Sequence, residues 1–65
     1  MDIAITRTTA ATVFPMLRDR YGKTLEEVSN KTGIAVSTLI DIEKGRVSPH
    51  ATTIHKLNLY FDLLG

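Results

Sequence analysis

Three glycines constrain this chain more than any other feature, because each closes a stretch whose apolar residues recur at helical spacing. Gly22 follows Phe14, Leu17 and Tyr21, Gly33 follows Leu25 and Val28, and Gly45 follows Leu39 and Ile42. What lies between them is short helices, and short helices are not stable in isolation. With 65 residues and no cysteine there is neither a disulfide framework nor a thiolate metal site to hold them together. They must share one apolar core, or borrow part of it from a partner. A hydrophobic share of 43% against 23% charged suits such a core. A chain this size buries only about 60% of its unfolded surface, which argues against a deep catalytic cleft and so against an enzyme. No apolar run approaches the roughly 20 residues that cross a bilayer, and no basic stretch precedes an apolar one at the N-terminus. A cytoplasmic location is expected.

Residues 1–12 are rich in threonine, and Ile3 and Ile5 alternate with Asp2, Ala4 and Thr6. They read as an arm, with the domain proper at residues 13–65. Two uses of the arm stand side by side: Ile3 and Ile5 adding a strand across a dimer, or Arg7 reaching into a nucleic-acid groove. The first helix is expected over Val13–Tyr21 with Thr12 as its cap, since Pro15 then falls in the first turn, where no intrahelical N–H is missed. Thr24 and Glu27 have the spacing of a capping box, in which the threonine oxygen accepts from the third N–H and the glutamate reaches back to the cap's own N–H. That predicts a helix over Leu25–Thr32. A third follows at about Val36–Lys44, and a last one at about Ala51–Leu63 behind Ser48-Pro49. Gly33 stands where the chain turns between two helices with positive φ, and a Cβ there would be strained.

From Leu17 to Phe61 the residues Leu17-Arg18, Gly22 to Ser29, Thr32 to Leu39 and Ile42 to Arg46, with Pro49 behind, occur in an order that resembles the phage repressor/Cro-type, or XRE-like, helix-turn-helix family. The resemblance covers about two thirds of the chain. It implies an all-α, lambda-repressor-like bundle of four to five helices with the helix-turn-helix at about residues 24–45. It also implies a sequence-specific regulator of transcription that binds a double-stranded DNA operator as a homodimer. The helix beginning near Ala35 would enter the major groove, and the helix beginning at Thr24 would point its N-terminus at a phosphate. On that reading Ser37, Thr38 and Asp41 face bases, Val36 and Ile40 pack on thymine methyls, and Thr24, Lys44 and Arg46 meet phosphates. Arg18 and Glu43 occupy positions where the family often pairs an arginine with a glutamate, and a structural ion pair is expected there.

The sequence also departs from that family. Leu25 replaces a common phosphate-binding glutamine, Val36 and Ile40 are aliphatic, and Asp41 and Glu43 against Lys44 leave residues 34–45 with a net charge of −1. DNA disfavours that sign. Leu25, Val36 and Ile40 either deepen a small core or form an aliphatic patch. The patch suggests an alternative function, an antirepressor-like module that binds another regulator instead of DNA. The last helix poses a similar choice. Ile54, Leu57, Phe61 and Leu64 share one face and should pack inward, whereas Leu59 and Leu63 lie opposite, with Tyr60 at the margin. Those residues are either a dimer or partner interface or an exposed chain end.

Nothing reads as catalytic or as a cofactor site. His50 and His55 are five apart, not the four of a helical zinc pair, and no histidine stands in triad order with a serine. No metal, membrane or small-molecule ligand is expected. Lys23 and Lys56 are further cations near helix ends, but scattered surface cations are ordinary, and the net charge of +1 does not announce a DNA-binding protein.

Overall fold

Each helix ends on a residue whose backbone N–H donates back into its last turn, and the second is also capped by a side chain at its start. In the computed structural model, which describes residues 3–65, these are α1 Ala10–Tyr21, α2 Leu25–Thr32, α3 Val36–Glu43 and α4 Ala51–Leu64, with no strand among the described residues. The class is the all-α one expected. Thr24 caps α2 by accepting from the Glu27 N–H at 3.1 Å. Gly33 ends it at φ 77°, donating its N–H to the Ser29 carbonyl at 2.8 Å. The Glu27 carboxylate does not close the box on the Thr24 N–H as expected. It accepts from the Thr24 hydroxyl at 3.3 Å instead, and Lys23 Nζ lies 3.7 Å from its other oxygen. Thr32 closes the turn into α3, its hydroxyl donating to the Val28 carbonyl at 2.7 Å and accepting from the Ile34 N–H at 3.2 Å.

The start of α1 differs from expectation. The helix begins at Ala10, three residues before Val13, and Thr12 lies inside it. The cause is a reciprocal pair one turn earlier: the Thr6 N–H donates to the Thr9 hydroxyl at 3.0 Å, and the Thr9 N–H to the Thr6 hydroxyl at 3.2 Å. The pair has the reciprocal pattern of a capping box but closes the turn ahead of the helix, and Thr9, the N-cap of α1, makes no side-chain bond to the first turn. Pro15 therefore sits in the second turn, where its missing N–H leaves the Ala11 carbonyl without a helix partner. Ala11 is exposed at this turn.

Phe14 and Leu17 of α1, Val28 of α2, Leu39 and Ile42 of α3, and Leu57 and Phe61 of α4 form one core. Phe61 is its hub, its ring centroid 6.1 Å from Phe14, 6.0 Å from Tyr21 and 5.1 Å from Tyr60. The spacing is that of favourable tilted and offset aromatic pairs. Ile54 packs at the margin, whereas Leu64, expected on the same inward face, is exposed at the helix end. No helix is long and apolar enough to cross a membrane among the described residues.

The first two residues of the segment read as an arm lie outside the described residues. Further along, Ile5 is only 1% exposed and belongs to the core. Its backbone is gripped by one side chain of α4: the Ile5 N–H donates to Asn58 Oδ1 at 2.7 Å, and Asn58 Nδ2 donates to the Ile5 carbonyl at 2.9 Å. The carboxamide takes the place of a neighbouring peptide group, so Ile5 enters the core without orphaning its own backbone. Asn58→Ala should therefore destabilise the fold by about 1–3 kcal/mol, the worth of two partly buried hydrogen bonds, as read by urea unfolding. A loss within a few tenths of a kcal/mol would mean that water replaces the amide at no cost.

Candidate nucleic-acid interface

The turn at Gly33 lays α3 beside α2 and against α1, and Leu39 and Ile42 bury one side of it completely. A helix anchored in this way presents its opposite side to solvent. Ser37 and Thr38 are exposed in the first turn, and Lys44 and Arg46 are exposed just past its end. Val36 and Ile40 are half-buried. The outer face is therefore polar at its centre and aliphatic along the one edge that Val36 and Ile40, a turn apart, share. Leu25 belongs to neither, because it packs against the core from α2.

The end of α3 is held by an ion pair. Arg18 Nε donates to Glu43 Oε2 at 2.7 Å and Arg18 Nη2 to Glu43 Oε1 at 3.1 Å, two parallel bonds that fit the planar guanidinium to the carboxylate. Its third nitrogen, Nη1, donates to the Lys23 carbonyl at 3.1 Å. One side chain thus ties α1, the α1–α2 turn and the C-terminus of α3. The side chains are 25% and 15% exposed, so solvent screens the pair only in part. The hydrogen bond to Glu43 holds the Arg18 guanidinium above its ordinary value, against the opposing effect of burial. A cation with a raised folded-state value contributes stability that is present below its unfolded value, hence throughout the physiological range, and is lost on the alkaline side.

A second ion pair was not foreseen from the sequence. Arg46 Nη1 lies 3.3 Å from Asp41 Oδ1, and the Arg46 N–H donates to the Asp41 carbonyl at 2.9 Å. The residue assigned to phosphate and one assigned to bases are thus in contact across the end of α3. Together the two pairs change the electrostatic reading of the segment. Glu43 is neutralised from beneath by Arg18 and Asp41 from the side by Arg46, so the negative sum over residues 34–45 does not describe the face that solvent meets. Their spacing of five residues, across a helix end and a glycine, is the one signal that could have revealed the second pair.

The remaining candidates are distributed more widely. Thr24 is exposed at the start of α2, but its hydroxyl is committed to the cap and to Glu27. Leu59, Tyr60 and Leu63 lie on α4, which packs on α1 and α2. Leu59 is 50% and Leu63 80% exposed, while Tyr60 leans on the core with its ring edge to Phe61. Arg7, for which the sequence favoured no role, donates through both Nε and Nη2 to the Ser48 hydroxyl, at 3.2 and 3.1 Å, beside the loop that follows α3.

A model of the helix-turn-helix family matches residues 16–63, about three quarters of the chain. No curated protein and no solved structure matches it.

The Arg18–Glu43 pair makes a quantitative claim. Arg18→Ala should cost about 2–3 kcal/mol of stability, and the double variant with Glu43→Ala should cost at least about 1 kcal/mol less than the sum of the two single losses. Additive losses in equilibrium unfolding would show the two side chains to be independent.

Proposed function

The chain belongs to the XRE-like helix-turn-helix family, and from that membership we propose that it is a sequence-specific regulator of transcription of the phage repressor/Cro type. The family is one of DNA-binding regulatory domains and not of enzymes. In this reading α3 lies in the major groove of an operator and the protein works as a homodimer in the cytoplasm. The observation that carries it is the outer face of α3, where exposed Ser37 and Thr38 are followed by the cation Lys44, unpaired among the described residues, while the carboxylates of Glu43 and Asp41 are paired with Arg18 and Arg46.

Roles follow from chemistry and position. The hydroxyls of Ser37 and Thr38 donate to or accept from base edges. Val36 and Ile40, along one edge, pack on thymine methyl groups. Asp41 accepts from a cytosine amino group through the carboxylate oxygen that Arg46 does not use. Lys44 and Arg46 bind phosphates, and the first N–H groups of α2, at Thr24, bind another. The features that would suit a surface for binding another regulator are used otherwise: Leu25 is committed to the core, and the acidic groups to their arginines.

The dimer reading rests on α4. Leu63 and Leu59 expose apolar surface on a helix that already buries its other side, and a groove between α2 and α4 is lined by Lys23, Asn30, Tyr60 and Leu63. A second copy laid along this helix would remove that surface from water and supply the second α3 that a two-fold symmetric operator calls for.

Two measurements test these assignments. With duplex DNA followed by fluorescence anisotropy, Arg46→Ala should weaken binding to every sequence and lower the slope of log affinity against log salt by about one contact. Ser37→Ala should instead relax preference at one base pair by about 1–3 kcal/mol. Uniform effects from both would remove Ser37 from base recognition. In sedimentation, Leu63→Lys should convert a dimer to a monomer with its helical circular dichroism intact; an unchanged mass would place the interface elsewhere.

A further inference from the structure

We propose that Arg7, seated on Ser48, is a phosphate-binding side chain that extends the DNA contact beyond the helix-turn-helix to the segment before α1. The inference rests on the DNA-binding reading above. The Nε–Nη2 edge of the guanidinium is fixed by the Ser48 hydroxyl at 3.2 and 3.1 Å, a contact that joins residues 41 apart. That contact orients the group but does not neutralise it. Among the described residues no carboxylate pairs with Arg7, in contrast to Arg18 and Arg46. Its Nη1 donors make no hydrogen bond among the described residues, so the outer edge of the fork points away from the serine with its charge unspent. A planar cation held by one edge and open at the other is suited to the two oxygens of a phosphodiester.

Position supports the same ligand. Arg7 and Arg46 both line one open cleft of about 300 Å³ whose floor is made of Ala10, Ala11, Ile42 and Gly45. Three of these four residues are small and none carries a charged side chain, so no carboxylate among the cleft's residues opposes an anion. Ser48 also lines the adjoining cleft with Thr38, which places Arg7 at the border of the exposed face of α3. A duplex lying on Thr38 and Arg46 would bring its phosphate row over this cleft. Arg7 would arrive already oriented, so little side-chain freedom is lost on binding.

The competing explanation is mechanical: Arg7 merely pins the loop after α3, and its charge is incidental. Three variants separate the two, measured by anisotropy against mixed-sequence duplex DNA between roughly 50 and 200 mM salt. Arg7→Gln should lower the slope of log affinity against log salt by about 0.9, one phosphate contact, with little change in melting temperature. Arg7→Lys should keep the slope of the unaltered protein at weaker affinity, having kept the charge and lost the fork. Ser48→Ala breaks the pin but not the charge, and should leave the slope intact. An unchanged slope in Arg7→Gln overturns the proposal while leaving DNA binding in place. So does a Ser48→Ala variant that reproduces the whole loss, because Arg7 would then act only as a pin. If the unaltered protein fails to bind duplex DNA at the lowest salt, the DNA reading falls and this inference with it.

Discussion

An eight-residue helix is too short to persist in water by itself, and α3, which carries the proposed contact face, is one. Everything else in the molecule supplies what α3 lacks. Leu39 and Ile42 fasten it from beneath, the Gly33 turn fixes its angle of entry, and Arg18 holds its last turn. It has no side-chain cap at Ala35, so tertiary contacts carry the stability that a cap would otherwise contribute. The core built around Phe61 serves the same purpose at one remove. It sets α1 and α2 at the positions from which Leu17, Val28 and Arg18 reach α3. A side chain removed from that core would therefore disturb the outer face without touching it.

Charge in this protein works by placement and not by total. A net charge of +1 predicts no affinity for a polyanion, and the local sum over α3 predicts repulsion. Both sums count carboxylates that arginines have already taken. Glu43 is held bidentately and lies mostly out of solvent, and Asp41 is paired with Arg46 at the rim. What remains unpaired around the outer end of α3 among the described residues is cationic: Lys44, and across the loop Arg7. The same acids would be a liability on a helix whose arginines lay elsewhere.

Legibility in the sequence followed the range of the interaction. The bounds of α2 were readable to the residue because Thr24 and Gly33 act within one turn of the chain they cap. The inward residues of α3 and α4 were readable from apolar spacing, with Leu64 excepted because the helix end outruns the core that would cover it. The start of α1 was misplaced because Thr6 and Thr9 form a reciprocal pair without an acidic residue, a weaker signal than Thr24 with Glu27. The contacts of Asn58 with Ile5 and of Arg7 with Ser48 join the N-terminal segment to α4 and to the loop before it, and no local pattern encodes a partner 53 or 41 residues away. The candidate site was legible in its helix and its outward residues. How its charges pair was not, since pairing depends on the folded distance.

The N-terminal segment shows how one stretch serves both stability and surface. Ile5 is buried and its backbone is held at both polar atoms by Asn58. One residue on, Thr6 locks to Thr9 and starts α1. Arg7 stands between these two anchored points, so the backbone that carries it has almost no freedom left. An arginine on a loose arm would lose that freedom on binding, at roughly 1–2 kcal/mol for each residue ordered. Here folding has already met that cost, because the same burial that completes the core also delivers the guanidinium to the edge of α3. Loosening Ile5 would therefore act twice, once on the core and once on the exposed cation two residues away.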